Sequence, residues 1–229
     1  MRRVIVTTGM VIFAAAAGCG GGSSGSLPPP PPDHSSAAQI NLQQSDLPAG
    51  WQGRPNAVSF PANARGEQAL YACLGSSPPE RHTTASVNSP AFVGTSGQAS
   101  SNVKFTHTEA ESQADYGTLT KPGAADCARN VLASSLPSVL PAGSTVAPGT
   151  VSGVPVSTPS GGQATGSLVT VNVDGPGGHM TVYAEFTTIQ RGRALVAVQT
   201  IGLGAPFSAS LQQSIVSNVE NRAIQELAS

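Results

Sequence analysis

The residues of this chain that could do chemistry are few and dispersed. The four histidines, His34, His82, His107 and His179, never stand three or four residues apart. Zinc needs three or four ligands at recognisable spacing, so no metal site is expected. The carboxylates Glu109, Glu111, Asp115 and Asp126 cluster in sequence, but on helices such a group reads as a solvated face. The 12 acids show no calcium-loop spacing. No nucleophile elbow joins a strand to a helix, and neither His-Glu-x-x-His nor a P-loop occurs. No catalytic residue and no cofactor are therefore expected. Three candidates for ligand contact remain. Trp51, the sole tryptophan, could stack on a ligand, although beside the turn Pro48-Ala49-Gly50 it reads first as a core plug. Tyr183 and Glu185 alternate onto one face of a strand and could hold a polar ligand if that face lines a groove.

Cys19 carries a different chemistry. Met1-Arg2-Arg3 is a positive start, Val4 to Ala17 is an uncharged apolar run, and Ala16-Ala17-Gly18 are small. The run is too short to span a bilayer comfortably and has the layout of an export signal. Ending in Cys19, it resembles the bacterial lipobox. That resemblance implies cleavage after Gly18, acylation of Cys19, and a lipid anchor on the outer face of the cell membrane. A diacylglyceryl group supplies the two chains that stable anchoring requires. The rival reading is an ordinary cleaved secretion signal.

Export leaves Cys73 and Cys127 in an oxidising space, where a disulfide is the expected pairing. It would close a loop of about 54 residues and contribute roughly 4 kcal/mol in the chain-entropy model. The alternative, a thiol nucleophile or metal ligand, lacks partners at suitable spacing.

Loss of Arg2 and Arg3 with the signal would leave nine basic residues against 12 acidic. That is no footprint for nucleic acid, which calls for clustered Lys and Arg. Charged residues are 10% of the chain, far below the usual quarter. The richness in Ala, Gly and Pro suggests a GC-rich genome.

Positioning elements follow from pattern. Residues 20–37, glycine and serine followed by five prolines, read as a tether. Residues 38–229 read as one globular domain. Short helices are predicted over 67–74, 109–119 (Ala110 and Ala114 inward) and 124–136, with Cys127, Val131 and Leu132 on an inward side. Residues 76–98 read as a long irregular loop. Strands are predicted over 102–108 and, at a sheet edge because of its prolines, 144–156. Thr165–Val173, a strand through Met180–Thr187, and Ala194–Ile201 form an antiparallel meander. Ser210 with Gln213 fits a capping box for a closing helix with Leu211, Ile215, Val219, Ala223 and Leu227 on one stripe. The fold class is thus α+β: an antiparallel sheet of four to five strands with a C-terminal meander and helices packed on one face.

The lipobox, the tether, "SDLPAGW", "ACLG", "NVKFTHTEAESQAD" and "RGRALVAVQTIGLGAPF" together resemble actinobacterial (mycobacterial-type) cell-envelope lipoproteins. More distantly, the globular part resembles the extracellular sensor domains of mycobacterial serine/threonine kinases. The resemblance implies an antiparallel sheet with helices packed on it and a ligand cleft. An anchor, a tether and a domain without a catalytic constellation point to a non-catalytic module that binds a small ligand, a lipid or wall component, or a partner protein. The alternatives are an envelope hydrolase or transferase with dispersed residues, and a structural spacer.

Overall fold

The structure, a computed structural model, describes residues 32–54, 64–80, 82–95, 97–157 and 161–228. Cys19, the stretch expected to be an export signal and most of the stretch expected to be a tether lie outside the described residues. In chain order the elements are α1 (Pro32–Ile40), β1 (Gln52–Arg54), α2 (Ala64–Cys73), β2 (Thr83–Asn88), β3 (Ala91–Gly94), β4 (Gly97–Thr106), α3 (Glu109–Thr120), α4 (Ala124–Ser135), β5 (Thr145–Val154), β6 (Gln163–Gly175), β7 (Gly178–Arg191), β8 (Ala194–Leu203) and α5 (Ala209–Ala228).

All the strands join one antiparallel sheet in the order β1-β3-β4-β8-β7-β6-β5, with β2 also paired to β4. The meander β6-β7-β8 is present as its alternation predicts, and β5 lies at the edge. The sheet has eight strands, not four or five. The difference comes from β2 and β3, which occupy residues 76–98 rather than a loop, and from β1 at Gln52–Arg54, which pairs with β3. Thr83-Thr84-Ala85-Ser86-Val87-Asn88 has too few apolar residues to announce a strand. It forms because β4 offers it an open edge, with Val87 opposite Val103 and Ala85 opposite Phe105.

Helices cover both faces of the sheet, which corrects the expectation of one. On the first face α1 and α5 pack over Val103, Phe105, Ile189, Val196 and Val198. On the second face α4 packs over Val169, Val171 and Ala184. Strand alternation makes the two sets opposite: neighbouring residues of β7 such as Ala184 and Glu185 must point to different sides. A half-polar strand pattern that looks solvent-facing can therefore lie beneath a helix.

Helix α1 occupies Pro32–Ile40, overlapping the stretch read as tether. Pro32 opens α1, where its fixed φ suits the first turn. Ala37 and Ile40 are fully buried against the sheet, and Asp33 is clamped by Arg193 at 2.6 Å. Two local details also differ. In α3 the buried positions are Ser112 and Tyr116, while Ala110 and Ala114 are exposed, because Ser112 bonds the Ala194 carbonyl. At α5 the hydroxyl of Ser208, not Ser210, accepts the Leu211 N–H. The predicted stripe of α5 does face inward: Ile215, Val216, Val219 and Ala223 are buried, Leu211 and Leu227 pack partly buried against the same core, and the polar Gln212 joins them.

Candidate functional site

The second face carries a cavity of about 150 Å³ between the sheet and helices α2, α3 and α4. Its roof consists of Leu70 and Tyr71 of α2, Leu119 at the end of α3, and Ala124, Ala125 and Ala128 of α4. The small α4 residues leave the space that larger ones would fill. Its floor is unusually polar for a covered sheet: Ser100 and Asn102 of β4, Gln199 of β8, Thr188 of β7 and Ser167 of β6, with Phe186, Leu195 and Ala197 among them. The register explains the grouping, since Gln199 stands opposite both Ser100 and Phe186, and Ala197 opposite both Asn102 and Thr188.

The Cys73–Cys127 disulfide forms, with a Cα–Cα separation of 5.7 Å. It joins the end of α2 to α4 one residue before Ala128, so it fixes two parts of the roof relative to each other. The turn between α3 and α4 is set by Gly123, whose φ of 87° a side chain would strain. The capping box of Thr108 and Glu111 sets the start of α3.

One end of the cavity holds its charged lining residues. Lys104 of β4 is ion-paired with Glu67 of α2, and the two are mostly buried, at 15% and 27% exposure. Beside them burial holds the Tyr71 phenol above its usual range, with Asp115 and Glu67 adding to the effect. Burial also raises the carboxyl of Asp115, opposed chiefly by Lys104. The open edge is a polar ladder in which Asn102 donates to Ser86 at 3.2 Å and to Asn88 at 2.8 Å.

Gln199 is the residue that departs most from ordinary packing. It is 5% exposed, and neither its Nε2 nor its Oε1 has a hydrogen-bond partner. An orphaned buried donor or acceptor costs about 1–3 kcal/mol.

A second cavity of about 220 Å³ meets the first at Leu119, Ala124, Ala125, Thr165 and Ser167 and reaches Val151–Gly153 of β5.

The ligand-contact candidates lie elsewhere. Trp51 is 8% exposed in the first-face core, edge-on to Phe207 at 5.8 Å. Gly94 lies against its ring, where a Cβ would come within 2.4 Å. Tyr183 and Glu185 are half-buried on the first face, opposite the cavity. Glu185 bonds Gln212 of α5, and burial raises its carboxyl. The structure therefore does not assemble Trp51, Tyr183 and Glu185 into a site.

Sequence reasoning passed over Gln199, although a glutamine inside Ala194–Leu203, otherwise almost wholly apolar, was a usable signal. It also passed over Ser101-Asn102-Val103-Lys104, which has the serine–lysine spacing of some acylating enzymes. That spacing unites the two groups on a helix. On β4 it separates them: Ser101 bonds Asn41 on the first face, whereas Lys104 meets Glu67 on the second. Among the described residues no cluster of three or more His, Cys, Asp or Glu could hold a metal, and no helix is long and apolar enough to cross a membrane.

Comparison with known proteins returned no matching family model and no matching curated protein. Among solved structures, the extracellular domain of PknH from Mycobacterium tuberculosis matches at 15% identity with a TM-score of 0.46, covering 83% of this chain and 96% of that one. A Pseudomonas aeruginosa protein of unknown function, PA94, matches at 14% identity with a TM-score of 0.22, over 62% of this chain and 78% of that one. Likeness at this level assigns neither ligand nor activity.

Proposed function

We propose that the chain is an extracytoplasmic lipoprotein whose globular part is a non-catalytic, sensor-like binding module. In this reading Cys19 carries the lipid, the residues that follow form a tether, and the second-face cavity takes a small ligand. The observation that supports binding most is the cavity's composition. A polar floor under an apolar roof, with an unpartnered Gln199, is the lining expected of a ligand pocket rather than of a packing defect. The non-catalytic reading is supported by the pairing of Lys104 with Glu67 and by Ser101, which faces away from Lys104.

Two experiments test this. Titration of the full chain with a panel of small neutral and charged molecules, followed by amide NMR, should shift Leu70, Ala128, Phe186 and Ala197 saturably for some members. No saturable shift there from any member would favour the spacer reading. Mass spectrometry of the mature N-terminus should find a diacylglyceryl-modified Cys19, and an unmodified terminus elsewhere would remove the anchor.

A further inference from the structure

Resting on the reading of the cavity as a binding site, we propose that its occupant is a neutral molecule that presents an amide to Gln199. Three features of the lining converge on this chemistry.

The first is the unmet pairing of Gln199. Its amide carries a donor and an acceptor side by side, both unpartnered and both closed off as the side chain stands, so an occupant meets them by a turn of the Gln199 side chain toward the cavity. An occupant satisfies them together only if it carries an acceptor beside a donor. A second amide does so through two N–H···O bonds. An ionised carboxylate offers acceptors alone and would leave Oε1 facing negative charge. The last torsion of a glutamine side chain is broad, so turning the amide toward an occupant costs little.

The second is charge. The charged lining residues, Lys104 and Glu67, are paired with each other. A charged ligand would be taken from water without a counter-ion, which a buried site penalises heavily.

The third is size. About 150 Å³ is the volume that encloses a single benzene-sized ring. Phe186, Leu70 and Leu119 supply apolar surface for such a body. The adjoining cavity gives a larger ligand a way out past Ala124 and Ala125.

The test uses four probes of similar size on the full disulfide-bonded chain: benzamide, benzoate, toluene and cis-1,2-cyclohexanediol. Binding is read from amide NMR shifts at Ala128, Phe186 and Ala197. Benzamide should bind tightest, ahead of toluene by about ten-fold or more, the factor that pairing a buried polar group supplies. Benzoate should bind least. Gln199→Leu removes the orphaned atoms at similar volume, so the variant should fold, lose benzamide by about ten-fold and hold toluene at least as well. Toluene or the diol matching benzamide in the wild-type chain would overturn the amide assignment while leaving the cavity a binding site. Failure of all four to shift those residues would overturn both the assignment and the binding reading. The wild-type ranking decides the matter whether or not the variant folds.

Discussion

The Arg193 guanidinium holds the Asp33 carboxylate at 2.6 and 3.0 Å across 160 residues of sequence, tying the first turn of α1 to the turn before β8. Thr84 of β2 adds a third bond to the same carboxylate at 2.5 Å. Arg193 also donates to the Thr106 carbonyl at 2.9 Å and lies over the Phe105 ring at 5.6 Å. α1 is thus fastened to the fold by charge as well as by Ala37 and Ile40.

Asp33→Asn should cost about 1 kcal/mol, a value reduced for the partial exposure of Arg193. The pH dependence has a definite sign. The hydrogen bond from Arg193, with help from Thr84, holds the Asp33 carboxyl below its usual range against the opposing effect of burial. Its contribution is therefore present above the unfolded carboxyl pKa of about 3.9 and is lost as pH falls through the lower folded value. Denaturant unfolding of both proteins should show a gap at pH 7 that closes in strong acid. A gap unchanged by acid would show that the charge on Asp33 contributes nothing to it.

Glu185 should behave in the opposite sense. Burial raises its carboxyl, with only Gln212 opposing. Stability from this position is fullest below the unfolded pKa of about 4.3 and falls as pH rises through the higher folded value. Glu185→Gln should raise the melting temperature at pH 7 and leave it unchanged near pH 4. Nearby, Gln212 Oε1 and Thr200 Oγ1 are buried without partners. A protonated Glu185 can donate to one of them, so the benefit of acid here has two sources. Equal melting temperatures at pH 7 would contradict this account.

The Cys73–Cys127 bond should stabilise the chain by about 2–4 kcal/mol. Cys73→Ala with Cys127→Ala should lower the denaturant midpoint by the corresponding amount. Because the bond fixes α2 to α4 above the cavity, probe binding in the folded variant should weaken as well. Unchanged binding would mean that packing of Leu70, Leu74 and Ala128 holds the roof unaided.

Much of this architecture was legible in the residues. The valines of β6 and the alternation in β7 announce a meander, and the apolar stripe of α5 announces a helix. The cysteine pair was expected from the export-like pattern of the first residues, and the disulfide forms. What escaped is what only tertiary partners reveal. β2 has no pattern of its own and exists because β4 leaves an edge open. Period-two alternation says that Ala184 and Glu185 face opposite sides, but not which side a helix covers. Hence Tyr183 and Glu185 read as a site when α5 lies over that face. The cavity was invisible for a related reason. It arises from Ala124, Ala125 and Ala128 failing to fill space above Ser100 and Gln199, residues roughly 25 to 100 positions apart in sequence.

The central claim is that the space beneath the α2–α4 roof is where this protein binds. Ala128→Phe places a ring into that space while leaving the floor residues unaltered, and Ala125→Phe does so from another roof position should the first variant be unstable. Titrating a molecule that binds the wild-type chain into either folded variant, with amide NMR as the readout, should show binding weakened ten-fold or more. Undiminished binding in both variants would place the ligand elsewhere on the molecule and contradict the account.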